Sequence, residues 1–170
     1  MHRYFVLFIL LLALDQGAKN LIDAFVPVES YVWVGEGTSF VAGNGHHYPG
    51  TDVLPALPIV LGCGSLFLIN LIAAWVFSEP KLLGRPDKLF LIAALCFLFE
   101  GITQGLDFLL HGYVIDYFGF AVSQPVQYAE VAHVGDYLFR IGVIVELGGF
   151  VLSLYGKSQL YYKLMQKKFA

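Results

Sequence analysis

Four long apolar stretches are the feature that most limits how this sequence can fold. They cover residues 4–25, 54–77, 89–110 and 136–155. A helix needs about 20 residues to cross a hydrocarbon core of about 30 Å, so each stretch is long enough to span a bilayer. Only 14% of the 170 residues are charged, against about 25% in soluble domains. The sequence therefore predicts one all-α integral membrane domain, residues 1–170, with four transmembrane helices.

The basic residues predict how these spans are oriented. Loops 26–53 and 111–135 carry no Lys or Arg. By the positive-inside rule, both termini, loop 78–88 and tail 156–170 are expected to be cytoplasmic, and the two loops without basic residues are expected to lie outside. This compact plan is typical of a bacterial inner membrane protein. Eight of the ten basic side chains lie on the cytoplasmic side: Arg3, Lys81, Arg85, Lys88, Lys157, Lys163, Lys167 and Lys168.

The first outer loop contains the extramembrane structure that the sequence predicts. Residues 30–34 and 39–41 are rich in β-branched and aromatic side chains and flank a Gly-Glu-Gly turn. That pattern favours a small β element. A second turn is expected at residues 43–45, which read Gly-Asn-Gly. The adjacent His46 and His47 lie in a Gly-rich stretch, where we expect them to face solvent rather than to bind a metal.

Polar side chains inside the spans mark candidate functional positions, because intramembrane charges are costly and normally face the bundle interior. Asp15 and Lys19 are four residues apart on one helix face, which fits either a structural ion pair or a substrate contact. They follow the first apolar run where a signal peptide would have small residues, so this span is expected to be retained. A polar stripe on the third span predicts interhelical hydrogen bonds or a wet cavity. The stripe consists of Glu100, Gln104, Asp107 and His111.

Two aspartates lie at the outer ends of the last two spans. Asp116 follows the third span, and Asp136 opens the fourth. Asp136 has an ordinary explanation as the acidic start of a helix, with Arg140 one turn later as a salt-bridge partner. However, two carboxyl groups that come together can share one proton, which is the basis of aspartic-protease chemistry. The pair is therefore a candidate catalytic dyad.

Three segments form an ordered set of motifs. They are Leu14-Asp15-Gln16-Gly17-Ala18-Lys19, residues 103–117, and His133-Val134-Gly135-Asp136. In that order they resemble the motifs of lipoprotein signal peptidase, also called signal peptidase II: the Asp-Gln and Lys of its first helix, its Gly-Asn-x-x-Asp-Arg and Gly-x-Val-x-Asp-Phe segment, and its Asn-x-Ala-Asp. With four spans and an outer β element, the resemblance covers nearly the whole chain.

The resemblance implies that Asp116 and Asp136 take the positions of the family's catalytic aspartates. The implied activity is cleavage of a signal peptide next to a lipid-modified cysteine by Asp/Asp general acid–base chemistry, with no metal or cofactor. The implied partners are a lipid-modified prolipoprotein signal peptide and membrane lipid, without nucleic acid, and the chain is expected to be a monomer. The candidate supporting or substrate-binding residues are Asp15, Lys19, Gln104, Asp107, His133 and Arg140.

The sequence departs from the family motifs at four positions. Gln104 and His133 each replace an Asn, Phe108 replaces an Arg, and Gly35 stands where an outer motif begins with Asn. Arg140 is a candidate to replace the missing positive charge. The departures motivate a second hypothesis, a homologue that binds lipidated or signal peptides without cleaving them. A small proton-coupled transporter is a third hypothesis, disfavoured because four spans without an inverted repeat are few for a transport pathway.

Overall fold

Long helices and pairs of short strands make up the described part of the chain. The structure is a computed structural model that describes residues 2–28, 30–33, 40–47, 56–78, 85–121 and 129–169. The Gly35 segment, which departs from the family motif, lies outside these residues. In chain order the elements are α1 (His2–Phe25), β1 (Ser30–Trp33), β2 (Phe40–His47), α2 (Ala56–Val76), α3 (Pro86–His111), β3 (Val114–Ala121), β4 (Ala129–Ala132) and α4 (Val134–Phe169).

Three helices in the described part of the chain are long and apolar enough to cross a membrane. They are Pro58–Val76 within α2, Pro86–His111, and Val134–Gln166 within α4. Large apolar side chains such as Leu68 and Ile144 are exposed along them, which is expected of a surface that faces lipid rather than water. These helices confirm a multi-pass membrane protein and three of the four predicted spans.

Helix α1 does not reach the same apolar character. It forms where the sequence predicted a helix, but Asp15, Lys19 and Asp23 all lie in its C-terminal half. Within the described residues it is not among the helices that qualify as spans by length and composition. The predicted span over residues 4–25 therefore stays a prediction.

Helix α4 is longer than the predicted fourth span. The sequence predicted residues 136–155, whereas the helix runs over Val134–Phe169. Residues 156–169 contain no proline and a single glycine, and they include four Lys, two Leu, two Gln and one Met. These are good helix formers, so the helix continues through the segment that was expected to form a tail.

The strands form one antiparallel sheet in the order β1-β2-β3-β4. The sequence predicted β structure in the first outer loop alone, and this was incomplete, because the second outer loop supplies β3 and β4. Strand β3 reads Val-Ile-Asp-Tyr-Phe-Gly-Phe-Ala, a run of β-branched and aromatic residues that suits a sheet. The mostly helical fold with a small β element is confirmed, and the β element is corrected to a four-stranded sheet that includes strands from both outer loops.

The pairing of β2 with β3 positions the first candidate aspartate. Asp116 lies opposite Gly45, and Phe118 lies opposite Ala42. The register is irregular between Ala42 and Gly45, where the sequence predicted a turn. The Gly-Asn-Gly residues therefore form an irregularity inside β2, because the chain continues straight on to pair with β3.

The chain divides into two compact units. The sheet unit comprises Met1–Leu61 and Phe99–Tyr137, and the helical unit comprises Gly62–Leu98 and Leu138–Ala170. Every predicted site residue except Arg140 belongs to the sheet unit.

Aromatic side chains fill the interior of the helical unit. The ring of Phe90 is buried, and its centroid lies 5.6 Å from that of Phe77 and 5.1 Å from that of Phe150. The same unit holds a polar pair, in which Asn70 donates from Nδ2 to Oε1 of Glu146 at 3.1 Å.

Candidate functional site

His133 lies at the centre of the candidate site. It connects β4 to α4, and its side chain is fully buried. Its Nδ1 atom lies 3.0 Å from Oδ1 of Asp116 and 3.0 Å from Oδ2 of Asp136. Strand β3 carries the first carboxylate, and the first turn of α4 carries the second. The two aspartates singled out from the sequence therefore meet at one nitrogen of one imidazole ring.

Two residues of α3 contact the opposite edge of this ring. Nε2 of His133 lies 3.2 Å from Oε2 of Glu100 and 3.3 Å from Oγ1 of Thr103. Thr103 donates from Oγ1 to the carbonyl oxygen of Glu100 at 3.1 Å. Gln104 donates from its amide nitrogen to Oε1 of Glu100. The imidazole is thus held between α3 on one side and the two aspartates on the other.

Gly135, the second residue of α4, lies against the polar groups around His133. A Cβ atom built at this position would lie 2.0 Å from Oε2 of Glu100, 2.6 Å from Nε2 of His133 and 2.8 Å from Oγ1 of Thr103. Separations this short are far below van der Waals contact, so any side chain at position 135 would displace the polar groups around it. A residue without a Cβ is therefore a steric requirement of this arrangement.

The carboxylates around His133 determine its charge. Burial by itself would lower the pKa of His133, but close contacts with Asp116, Asp136 and Glu100 outweigh it and hold the pKa well above its usual value. These contacts favour the protonated, positively charged form of the ring. The His133 backbone N–H also donates to Oδ2 of Asp136 at 3.1 Å, as expected for an acid in the first turn of a helix.

A buried ion-pair network lies in the same unit. Lys19 is fully buried, and its Nζ atom lies 2.6 Å from Oδ2 of Asp107 and 3.3 Å from Oδ2 of Asp15. Gln16 donates to Oδ1 of Asp107 at 2.9 Å. One ammonium group thus compensates two carboxylates, which limits the cost of removing these charges from water. The spacing of Asp15 and Lys19 predicted the pair, and the structure adds Asp107 from α3.

This network holds β3 on both sides of the catalytic candidate Asp116. The Ile115 backbone N–H donates to Oδ2 of Asp107 at 3.3 Å. The Tyr117 hydroxyl donates to Oδ1 of Asp15 at 2.9 Å. Burial and the nearby Asp15 carboxylate raise the pKa of Tyr117, so its hydroxyl remains a donor throughout the physiological range. The network therefore fixes the backbone that presents the Asp116 carboxylate to His133.

A further polar cluster joins the C-terminal end of α1 to the sheet. Asp23 accepts a hydrogen bond from the Tyr113 hydroxyl at 2.8 Å and lies 2.6 Å from Nε2 of His46. The rings of His46 and Tyr113 stack with centroids 4.0 Å apart. Asn44 donates a hydrogen bond from Nδ2 to the carbonyl oxygen of Val26 at 2.8 Å. The expectation that His46 faces solvent was wrong, because its side chain is largely buried against Asp23; the His47 side chain lies outside the described residues.

The residues predicted from the sequence form two groups joined through β3. The first contains Asp116, Asp136 and His133, with Gln104 attached through Glu100; the second contains Asp15, Lys19 and Asp107. Arg140 is exposed and belongs to the helical unit. Its suggested role as the missing positive charge stays a prediction, and His133 supplies positive charge at the two aspartates.

Three residues beside the imidazole were not named as site residues from the sequence: Glu100, Thr103 and Gly135. Glu100 was part of the predicted polar stripe, and its place one turn before Gln104 was the available signal. The stripe does face inward, since Glu100 and Asp107 are both buried. Nothing in the sequence indicated that Gly135 must lack a side chain.

Three side chains of the site are also placed to share a metal ion. One ligand atom each from Glu100, His133 and Asp136 lies within 4.8 Å of the other two. The two carboxyl groups in this set also interact with each other electrostatically. An imidazole with two carboxylates is a donor set that divalent transition metals accept.

The fold is similar to those of two solved bacterial membrane enzymes. One is described as a bacterial membrane enzyme solved by the in meso method at 2.3 Å resolution. It matches with a TM-score of 0.57 and 13% sequence identity, and the match covers 89% of this chain and 88% of that enzyme's chain. The other was solved by the same method at 1.9 Å resolution. It matches with a TM-score of 0.61 and 12% sequence identity, and the match covers 88% of this chain and 93% of that enzyme's chain. No family model and no curated protein matches the sequence. At these identities the likeness shows a shared fold.

Proposed function

We propose that this protein is an intramembrane aspartic endopeptidase that removes signal peptides from lipid-modified prolipoproteins. The observation that carries the proposal is the convergence of Asp116 and Asp136 on Nδ1 of His133, at 3.0 Å each. The two carboxylates come from different elements and lie in a multi-pass membrane chain. The fold likeness to bacterial membrane enzymes and the motif resemblance to signal peptidase II both support this function.

The chemistry follows from the two carboxyl groups and the ring between them. One carboxylate removes a proton from the attacking water, while the protonated partner polarises the scissile carbonyl and later supplies a proton to the leaving amine. The proton belongs to the pair rather than to either residue. Nδ1 of His133 contacts both carboxylates, so it offers a path along which the proton can pass between Asp116 and Asp136.

The proposal is tested by replacing each aspartate with its uncharged isostere. We expect Asp116→Asn and Asp136→Asn each to slow cleavage of a lipid-modified prolipoprotein by about 10²–10⁴-fold, because each removes a proton-transfer group. The assay uses the full chain in lipid bilayers and follows substrate and product on gels. Asp87→Asn is the matched control, since Asp87 pairs with Arg85 at 3.1 Å at the start of α3, in the helical unit. Full activity in either site variant would exclude the dyad.

A homologue that binds such peptides without cleaving them is the second candidate function. The imidazolium of His133 favours it, because a positive charge in contact with both aspartates stabilises their ionised forms and opposes the protonated carboxyl that the acid role requires. This candidate predicts saturable binding of the lipid-modified substrate with no product from the unmodified chain.

A further inference from the structure

We propose that Glu100, His133 and Asp136 form a binding site for a divalent transition metal ion such as Zn²⁺, and that occupation of this site inhibits the peptidase. The binding site stands on the geometry of the three side chains. Its inhibitory effect rests on the proposed function, because Asp136 belongs to both.

One separation within the cluster matches that of two ligands around one ion. Nε2 of His133 lies 3.2 Å from Oε2 of Glu100, and the ligand atoms of Glu100, His133 and Asp136 all lie within 4.8 Å of one another. Ligand atoms about 2.0–2.1 Å from a tetrahedral zinc ion are about 3.3 Å apart. Nε2 of His133 and Oε2 of Glu100 are therefore already placed to share one ion. The Asp136 carboxylate, whose Oδ2 atom lies 3.0 Å from Nδ1, would turn from Nδ1 toward Nε2 to complete the set.

One carboxylate oxygen in the cluster lacks a hydrogen bond. Glu100 is 3% exposed, and its Oε2 atom receives no hydrogen bond from the described residues. The 3.2 Å approach of the His133 Nε2 atom is an ionic contact that is not aligned as a hydrogen bond. A buried carboxylate oxygen in this state is costly. A cation bound by Glu100 and His133 together would satisfy it, because both atoms would then point to the ion rather than to each other.

Nδ1 of His133 contacts a carboxylate, as the second ring nitrogen of a metal-binding histidine usually does. A histidine that binds metal through one nitrogen normally donates from the other to a carboxylate, which fixes the ring and makes it a stronger ligand. Nδ1 of His133 lies 3.0 Å from Oδ1 of Asp116. Asp116 would therefore hold the ring from outside the ligand set, while Nε2 faces Glu100.

The backbone leaves room for these groups because Gly135 has no side chain. The point that a Cβ atom would occupy lies 2.0 Å from Oε2 of Glu100 and 2.6 Å from Nε2 of His133. The two ligand atoms thus lie directly over the backbone at the start of α4, and a side chain there would close this space.

The donor set selects the class of ion and predicts its effect. One imidazole and two carboxylates suit Zn²⁺ and related transition metals better than Ca²⁺ or Mg²⁺, which prefer oxygen ligands alone. Three protein ligands leave a fourth position for water. When Asp136 binds the ion, it can neither accept a proton from water nor donate one to the carbonyl, so metal binding would stop the dyad reaction.

The binding claim is tested without any assay of cleavage. The purified full chain is stripped of metal and titrated with ZnCl₂ by calorimetry, with metal content measured after removal of free ion. We expect one equivalent of zinc, and zinc X-ray absorption with nitrogen and oxygen neighbours but no sulfur. Glu100→Gln and His133→Asn should each weaken binding by about 100-fold or more, since even outer partners of a metal site contribute 10–100-fold. Glu146→Gln, the matched glutamate control in the helical unit, should bind zinc as the unmodified chain does.

Several outcomes would overturn the proposal. Absence of a stoichiometric ion in the unmodified chain would exclude the site, as would sulfur neighbours, which point instead to Cys63 or Cys96. Retention of full affinity in both site variants would exclude the ligand set. If either variant fails to fold, the absorption spectrum of the unmodified chain still shows whether nitrogen and oxygen atoms or sulfur atoms bind the ion. For the inhibitory effect, saturating zinc should abolish prolipoprotein cleavage; unchanged or faster cleavage in zinc would overturn inhibition while leaving the peptidase intact.

Discussion

At position 135 the absence of a side chain is as important as the carboxylates around it. Gly135 lies where Glu100, His133 and Thr103 come closest together, and an added Cβ atom would approach all three within 2.8 Å. None of these groups can retreat easily, because Glu100, Thr103 and His133 are all buried. The site is therefore sensitive to one methyl group.

We expect Gly135→Ala to abolish cleavage and zinc binding and to destabilise the protein by about 1–3 kcal/mol, the usual cost of forcing a group into a packed interior. Cleavage rate, zinc affinity and unfolding temperature in detergent measure the three effects. Gly64→Ala is the matched control, because an added Cβ on that helical glycine meets no atom within 4 Å. Equal behaviour of the two variants would contradict the steric role of Gly135.

The central contacts of the site could be predicted from the sequence only in part. His133 was visible as a departure from a family motif, and Asp116 and Asp136 were visible as acids at the ends of apolar stretches. The contact of His133 with Glu100 joins α3 to the segment before α4, and no local spacing rule connects residues so far apart in the chain. Gly135 was unpredictable for the same reason, since its constraint comes from side chains of another helix.

Among the elements, strand β3 connects the buried ion-pair network to the site. Lys19 on α1 holds Asp107 on α3 at 2.6 Å, and Asp107 accepts a hydrogen bond from the Ile115 backbone N–H. The next residue is Asp116. An ion pair deep in the sheet unit therefore determines where the carboxylate at the site lies.

We expect Lys19→Met to destabilise the protein by about 3–5 kcal/mol, because it leaves the buried Asp15 and Asp107 carboxylates without their cation. Thermal unfolding in detergent measures the loss, and cleavage should fall with it as β3 loses its anchor. Lys88→Met, at an exposed position, serves as control. Adding Asp107→Asn to the Lys19→Met background should recover part of the stability, since it removes one of the two uncompensated charges. A Lys19→Met protein as stable as the control would contradict the role of the network.

The helices could be predicted from the sequence because each contains a long apolar stretch. Strands β3 and β4 were missed, because residues 114–121 and 129–132 lie in the loop between two predicted spans and become strands through pairing with β2 and with each other. The C-terminal extension of α4 was missed for a different reason. Its lysines suggested an end to the apolar span near residue 155, but lysine favours helix, so the helix continues past that point.

At the scale of the whole molecule, the fold and the site carry different information. The fold is shared with bacterial membrane enzymes at 12% and 13% identity, which leaves the chemistry to be decided by particular side chains. Those side chains are two aspartates joined by an imidazole ring, with a third carboxylate on its far edge. A histidine and a glutamate therefore determine how the two acids are held.

The most direct test of the peptidase assignment is mass spectrometry of a lipid-modified prolipoprotein after incubation with the purified, metal-free, full chain in lipid bilayers. We expect a single cut next to the lipid-modified cysteine, absent when Asp116 and Asp136 are both replaced by Asn. Binding of this substrate at saturation, with the unmodified chain leaving it intact, would contradict the assignment.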